Sequence, residues 1–301
     1  MTERNMGEES QGSGKLGKAD RRKKRYRALF LDLDNTLLDF DASESEAFKK
    51  VLVRFGMKPE DEFVREYHQI NRQCWELFEE GKLEKSTVLI RRFEIFFSGH
   101  GRGEVSSEAE ALYRAFLGES AILIPGALEL CWDLSREYRL YAATNGVAQT
   151  QYKRLKKSGL TPFFSGVFVS EEAGSQKPQK EFFDYCFEKS RRPPWEQGRA
   201  AAAAWQGRRS RHPVRPEEVL LIGDSLTSDM RGGENAGIDT CWYNPGRIAN
   251  DRGAAVTMQA ASYEEIRSIL LPWRGVKVKN MFLTRIVSLR EPIGKSKPRL
   301  K

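Results

Sequence analysis

The residues best suited to chemistry are Asp32 and Asp34, Thr144 and Asn145, and Asp224 and Asp229, each pair just after a short apolar run, with Lys177 in a loop between the last two pairs. Together they offer carboxylates, a hydroxyl, an amide and one ammonium, and include no His, no Cys and no glycine-rich phosphate loop. Such a set suits attack on a phosphoryl group. Mg²⁺ takes oxygen ligands and keeps several waters, so two or three carboxylates with a main-chain carbonyl suffice to hold it. Such an ion and Lys177 would offset the phosphate charge that otherwise repels a carboxylate nucleophile. Thr144 and Asn145 supply hydrogen-bond donors for phosphoryl oxygens, and carboxylates are known to form aspartyl-phosphates. Taken singly, each has an ordinary reading. Asp-x-Asp caps a helix or a turn, Thr144-Asn145-Gly146 makes a turn, Lys177 sits on a surface, and Asp224-Ser225 caps the helix expected near Ser228.

What would unite these residues is the order of elements that carries them. Tyr26–Leu31 reads as a buried strand running into Asp32, and Asp32 and Asp34 can serve one substrate only if the chain leaves strand geometry near Asn35-Thr36. Further strands are expected at Arg139–Ala143, Gly166–Val169, Val219–Ile222 and Thr240–Tyr243, alternating with helices near 127–137, 148–157, 180–189 and 228–236. That alternation predicts an α/β fold with a doubly wound parallel sheet, whose strand ends converge along one edge. Between the first two strands, residues 41–121 have helical period. Ser43 and Glu46 suggest a capping box, with Phe48, Val51, Leu52 and Phe55 on one face. A second helix carries Phe63, Tyr67, Ile70, Cys74, Leu77 and Phe78 and stops at Gly81; a third runs through Phe93, Phe96 and Phe97, and a fourth opens at Ser107 and Glu110. These aromatic stripes read as core rather than as a cofactor box. In the same stretch His68 and His100 read as structural or exposed, and Trp75, Arg91, Arg92 and Tyr113 could reach a substrate but fit core or solvent roles at least as well.

The chain has 301 residues, 40% hydrophobic and 31% charged, with 17 Phe, 6 Trp and 9 Tyr, which excludes global disorder. No stretch reaches the roughly 20 apolar residues of a membrane span, and no secretory leader is expected. Four widely spaced cysteines without a CxxC pair argue against a disulfide scaffold or zinc site and suit the cytoplasm. The net charge of +8 is concentrated: residues 1–27 carry +5, and residues 189–216 and 275–301 carry +7 each, leaving an acidic body of −11. An acidic body disfavours nucleic-acid binding and suits carboxylates gathered around a divalent cation. Residues 1–24 read as a disordered basic tail, 191–216 as a flexible insertion remote from the chemistry, and 275–301 as a second basic tail in which 281–289 can dock as a strand. The core is expected over 25–40 and 122–274.

Asp32-Leu33-Asp34-Asn35-Thr36-Leu37 resembles the first motif of the haloacid dehalogenase-like (HAD) superfamily. Thr144-Asn145-Gly146 resembles its second, Lys177-Pro178 its third, and Gly223-Asp224-Ser225-Leu226-Thr227-Ser228-Asp229 its fourth. The motifs occur in the family's order, and residues 41–121 stand where the family places a helical cap. The resemblance implies a Rossmann-like core and a Mg²⁺-dependent phosphomonoester hydrolase with Asp32 as nucleophile and Asp34 as general acid and base. It also implies that Thr144 and Asn145 bind the phosphate, that Lys177 stabilises its charge and positions Asp32, and that Asp32, the Asp34 carbonyl and Asp224 hold Mg²⁺, with Asp229 in support. The dehalogenase branch lacks an aspartate at the Asp34 position, which disfavours dehalogenation. Leu37-Leu38-Asp39-Phe40-Asp41 and Ile222–Met230 are similar to a pyrimidine 5′-nucleotidase branch, implying a nucleoside monophosphate substrate. Two other readings remain: a sugar-phosphate or other small-metabolite phosphatase, and a non-catalytic scaffold that recruits acidic partners through the basic segments.

Overall fold

The computed structural model describes residues 26–191 and 213–271. The expected basic tails and most of the expected insertion lie outside these residues.

β1 (Ala28–Leu31) leads into the helices α1 (Phe40–Arg54), α2 (Asp61–Glu79), α3 (Lys85–Gly99) and α4 (Ser106–Glu119). Then follow α5 (Ala127–Ser135), β2 (Arg139–Thr144), α6 (Ala148–Lys157), β3 (Phe164–Val169), α7 (Ser170–Ala173) and α8 (Lys180–Ser190). The chain finishes with β4 (Val219–Gly223), a π-helical turn (Leu226–Met230), α9 (Arg231–Ala236), β5 (Asp239–Tyr243), β6 (Met258–Ala260) and α10 (Tyr263–Leu270). Every strand pair is parallel, and the sheet order is β3-β2-β1-β4-β5-β6. The chain winds outward from β1 through β2 to β3, then returns to β4 on the other side. The order therefore reverses between β1 and β4, where an open α/β sheet leaves a crevice at its carboxyl edge.

Alternation along β1 divides the core. Leu29 and Leu31 face a layer built from α5, α6 and α10, including Leu130, Leu155 and Ile266. Ala28 and Phe30 face the opposite layer with Phe182, Phe183 and Cys186 of α8. Burial on both faces is why these strands read as continuous apolar runs. The four helices after β1 enclose their own aromatic core, in which Phe48 stacks on Tyr67 at 3.9 Å and meets Phe96 edge-on at 4.9 Å.

Several expected details differ. The α1 cap is Asp39, whose carboxylate accepts from Ala42 N at 2.9 Å; Ser43 lies a turn inside the helix, where its hydroxyl donates to Asp39 O. α4 opens at Ser106, with no side-chain cap, rather than at Ser107. Leu77, expected on the apolar face of α2, is 37% exposed. Val214, inside the expected 191–216 insertion, is buried in the α8 layer, so that part of the segment belongs to the core. β6 and α10 were not foreseen, although Ser262 caps α10 by accepting from Glu265 N, a legible Ser-x-x-Glu signal.

Candidate active site

The chain leaves strand geometry directly after β1. Asp32 stays tied to β4 through its N–H, which donates to Ile222 O at 2.9 Å. A tight turn follows, in which the N–H groups of Leu37 and Leu38 donate to Leu33 O and Asn35 adopts a left-handed φ of 54°. Asparagine tolerates that conformation better than most residues. Its side chain accepts from Phe40 N at 3.0 Å, directing the chain into α1.

Lys177 is the centre of the site. Its ammonium donates to Asp32 Oδ1 and Asp229 Oδ1, both at 2.6 Å, and to Ala143 O at 2.9 Å. An ammonium has three N–H donors, so all are committed. Burial would push Lys177 down, but Asp229 and Asp32 outweigh it, and the group is held above its ordinary range. Asp229 Oδ2 accepts from Ser225 N at 3.2 Å, and a Cβ on Gly223 would fall 2.2 Å from that oxygen, so only glycine fits there.

Carboxylate oxygens of Asp32, Asp224 and Asp229 all lie within 4.8 Å of one another. Burial pushes Asp32 up to about 7 despite the opposing pull of Lys177, and burial with Asp32 and Asp229 nearby pushes Asp224 up as well. These shifts have one physical origin: three carboxylates share a single buried ammonium, leaving excess negative charge out of water. A hard divalent cation relieves that excess, and the donors available are all oxygen, so the set fits Mg²⁺.

A second group of side chains lies beside the first. Asp34 Oδ2 accepts from Gln151 Nε2 at 2.8 Å, and its Oδ1 pairs with Arg154 Nη1. Thr144 Oγ1 accepts from Gln151 Nε2 at 2.8 Å and from Gly146 N at 3.0 Å. Asn145 faces the Lys177 main chain: its Nδ2 donates to Lys177 O and its Oδ1 accepts from Lys177 N, both at 2.9 Å. The residues singled out in the sequence therefore meet at one edge. Gln151 and Arg154 were missed, because polar positions on a helix that also sends Leu155 into the core look like its solvent face.

The helical unit reaches this edge at two points. Glu79, at the end of α2, accepts a hydrogen bond from Thr227 Oγ1, and burial pushes its carboxyl up to about 7. Lys85, at the start of α3, donates to Gly146 O at 2.7 Å and Ser170 Oγ at 3.1 Å and pairs with Glu171.

The parallel sheet carries this site at its switch point, and residues 26–237 match the haloacid dehalogenase-like hydrolase family. The chain belongs to that family. It is 40% identical over 247 residues to HAD-hydrolase YfnB of Bacillus subtilis, covering 82% of this chain and 96% of that protein. A magnesium-bound crystal structure of YfnB that reveals interdomain movement superposes with a TM-score of 0.72 at 39% identity, covering 82% of this chain and all of the other. Pyrimidine 5′-nucleotidase PynA of Streptococcus pneumoniae is 36% identical over 81% of this chain and 95% of its own length. Pyrimidine 5′-nucleotidase YjjG of Escherichia coli is 28% identical over 80% and 96%. These similarities bear out the resemblance in the motifs, including its nucleotidase branch.

Proposed function

We propose that this chain is a Mg²⁺-dependent phosphomonoesterase that hydrolyses nucleoside 5′-monophosphates, pyrimidine ones foremost, through an aspartyl-phosphate on Asp32. The observation that carries the reading is the meeting of Asp32, Asp224 and Asp229 around Lys177, with Asp34 two residues beyond the nucleophile. The names of the two nucleotidase relatives support the substrate class.

Asp32 Oδ1 is held by Lys177, which leaves Oδ2 to attack phosphorus. As the Oδ2–P bond forms, the P–O bond to the nucleoside breaks, and Asp34 protonates the departing oxygen. Asp34, now ionised, takes a proton from water as that water attacks phosphorus and the Oδ2–P bond breaks. Inorganic phosphate leaves, and both carboxyl groups return to their starting state. General acid–base help of this kind contributes about 10²–10⁴-fold. Thr144, whose oxygen already accepts two hydrogen bonds, has its hydroxyl proton left for a phosphoryl oxygen. Asn145 contributes its remaining Nδ2 proton, and Lys177 acts by neutralising and fixing Asp32, since its own donors are all engaged. Asp32, Asp224 and the Asp34 carbonyl would hold Mg²⁺, with Asp229 supporting through Lys177 and Ser225. The ion supplies positive charge against the phosphate. The helices of residues 41–121 serve as a cap that excludes bulk water.

The test is a panel of phosphomonoesters assayed with and without Mg²⁺, using the wild type and Asp32→Asn. Nucleoside 5′-monophosphates should be turned over fastest, only with the metal, and Asp32→Asn should lose turnover while keeping its thermal midpoint within a few degrees. Preference for a sugar phosphate would transfer the substrate assignment to that class. Turnover retained by a verified Asp32→Asn preparation would overturn the mechanism.

A further inference from the structure

We propose that Gln151 and Arg154 are positioning residues that set the Asp34 carboxyl and the Thr144 hydroxyl as one unit. The inference rests on the mechanism above. Gln151 and Arg154 lie three residues apart on α6, hence on one face, and are 1% and 0% exposed.

The chemistry of the donors fixes the arrangement. A guanidinium carries donors only, so the Gln151 atom facing Arg154 Nη1 at 3.2 Å is Oε1. The Gln151 Nε2 group therefore faces the other way, and its two protons go to Asp34 Oδ2 and Thr144 Oγ1, each at 2.8 Å. Thr144 Oγ1 also accepts from Gly146 N, so its lone pairs are filled and its proton must point elsewhere. One amide thus aims both the proton carrier and a phosphoryl-binding hydroxyl. Gly146 makes room for it, because a Cβ there would stand 2.6 Å from Gln151 Nε2.

A purely structural arginine at such depth would be satisfied on every side. Arg154 is not: its Nε and Nη2 are buried without a hydrogen-bond partner among the described residues. Each such orphan costs about 1–3 kcal/mol. The chain keeps the guanidinium where it grips Asp34, with the Phe40 ring 5.8 Å away at the start of α1. Neither residue is expected to touch substrate; both act through Asp34 and Thr144.

The experiment measures single-turnover phosphoryl transfer by Gln151→Met and Arg154→Met, in the wild-type and Asp34→Asn backgrounds. The substrates are uridine 5′-monophosphate, whose leaving oxygen needs a proton, and p-nitrophenyl phosphate, whose leaving group does not. Misplacing a catalytic group costs about 10²-fold, so Arg154→Met should lose that much on the nucleotide and only a few-fold on the aryl ester. Gln151→Met should lose on both through Thr144 and more on the nucleotide through Asp34. In the Asp34→Asn background Arg154→Met should add less than about 3-fold, because its carboxyl partner is gone, whereas Gln151→Met should keep the part of its loss that runs through Thr144. Arg154→Lys, which keeps one N–H for Asp34, should recover part of the nucleotide rate, and it replaces Arg154→Met should that variant melt early. Equal losses on both substrates for either variant, or a full Arg154→Met loss persisting beside Asp34→Asn, would overturn the inference and make the pair structural. If Asp34→Asn itself proves indifferent to the leaving group, the assignment of Asp34 fails instead, a result that the Met variants cannot mimic.

Discussion

Lys177 determines the charge balance of the site, since Asp32 and Asp229 share its ammonium and Asp224 stands within reach of both. Lys177→Met leaves these carboxylates buried without their cation. Breaking a buried pair from one side costs about 3–5 kcal/mol, and urea unfolding without divalent metal should show that loss. Millimolar Mg²⁺ should restore part of it by binding only the folded chain; an unchanged urea midpoint would mean that the carboxylates are already neutral. At this scale the sequence was informative where chemistry sits at strand ends. Asp32, Asp34, Thr144, Asn145 and Asp224 stood out because they follow apolar runs, and Lys177 and Asp229 through their place in the third and fourth motifs. Gln151 and Arg154 did not, since nothing in a helical pattern tells a buried polar face from a solvated one. Asn145 illustrates the other limit: its residue type was noticed, but its grip on the Lys177 main chain depends on two loops 32 residues apart in sequence.

Among the elements, the α2–α3 corner joins the helices of residues 41–121 to the sheet edge with one acid and one base: Glu79 on Thr227, and Lys85 on Gly146 and Glu171. Glu79 is pushed from 4.5 up to about 7, so the folded chain binds its proton more tightly than the unfolded chain does. Its contribution to stability is therefore fullest below about pH 4.5 and is lost as pH rises through about 7. Melting curves from pH 5 to 8 without divalent metal should show the wild type gaining on Glu79→Gln as pH falls; a constant gap between the two would contradict the burial of this carboxyl. The cap helices were legible from their aromatic spacing, but their starts were not. Ser43 and Glu46 have capping-box spacing, yet the apolar face already begins a turn earlier, where Asp39 can accept from the first free N–H.

For the molecule as a whole, the parallel sheet was legible because its strands are buried on both faces and punctuated by helices. β6, three residues long, is too short to carry a pattern of its own. The +7 segment at 189–216 falls in sequence between α8 and β4, and β4 begins at the edge opposite the site; residues 192–212 lie outside the described residues. Replacing residues 192–212 with a flexible linker should leave kcat and KM within about twofold, because β4 begins at the edge opposite the site. Extending the replacement through Val214 should lower stability by roughly 1.5–3 kcal/mol, the worth of a buried valine. A fall in kcat from the shorter replacement would place that segment in the reaction. The helices of residues 41–121 are tethered by two segments hydrogen-bonded to each other, Asp39 N to Ile122 O and Ile124 N to Leu37 O, and the first of them begins at Asp34. Under the proposed mechanism the proton carrier is thus mounted on the hinge pin itself. A shift of that connection large enough to move Asp34 would have to break its contacts with Gln151 and Arg154 of α6.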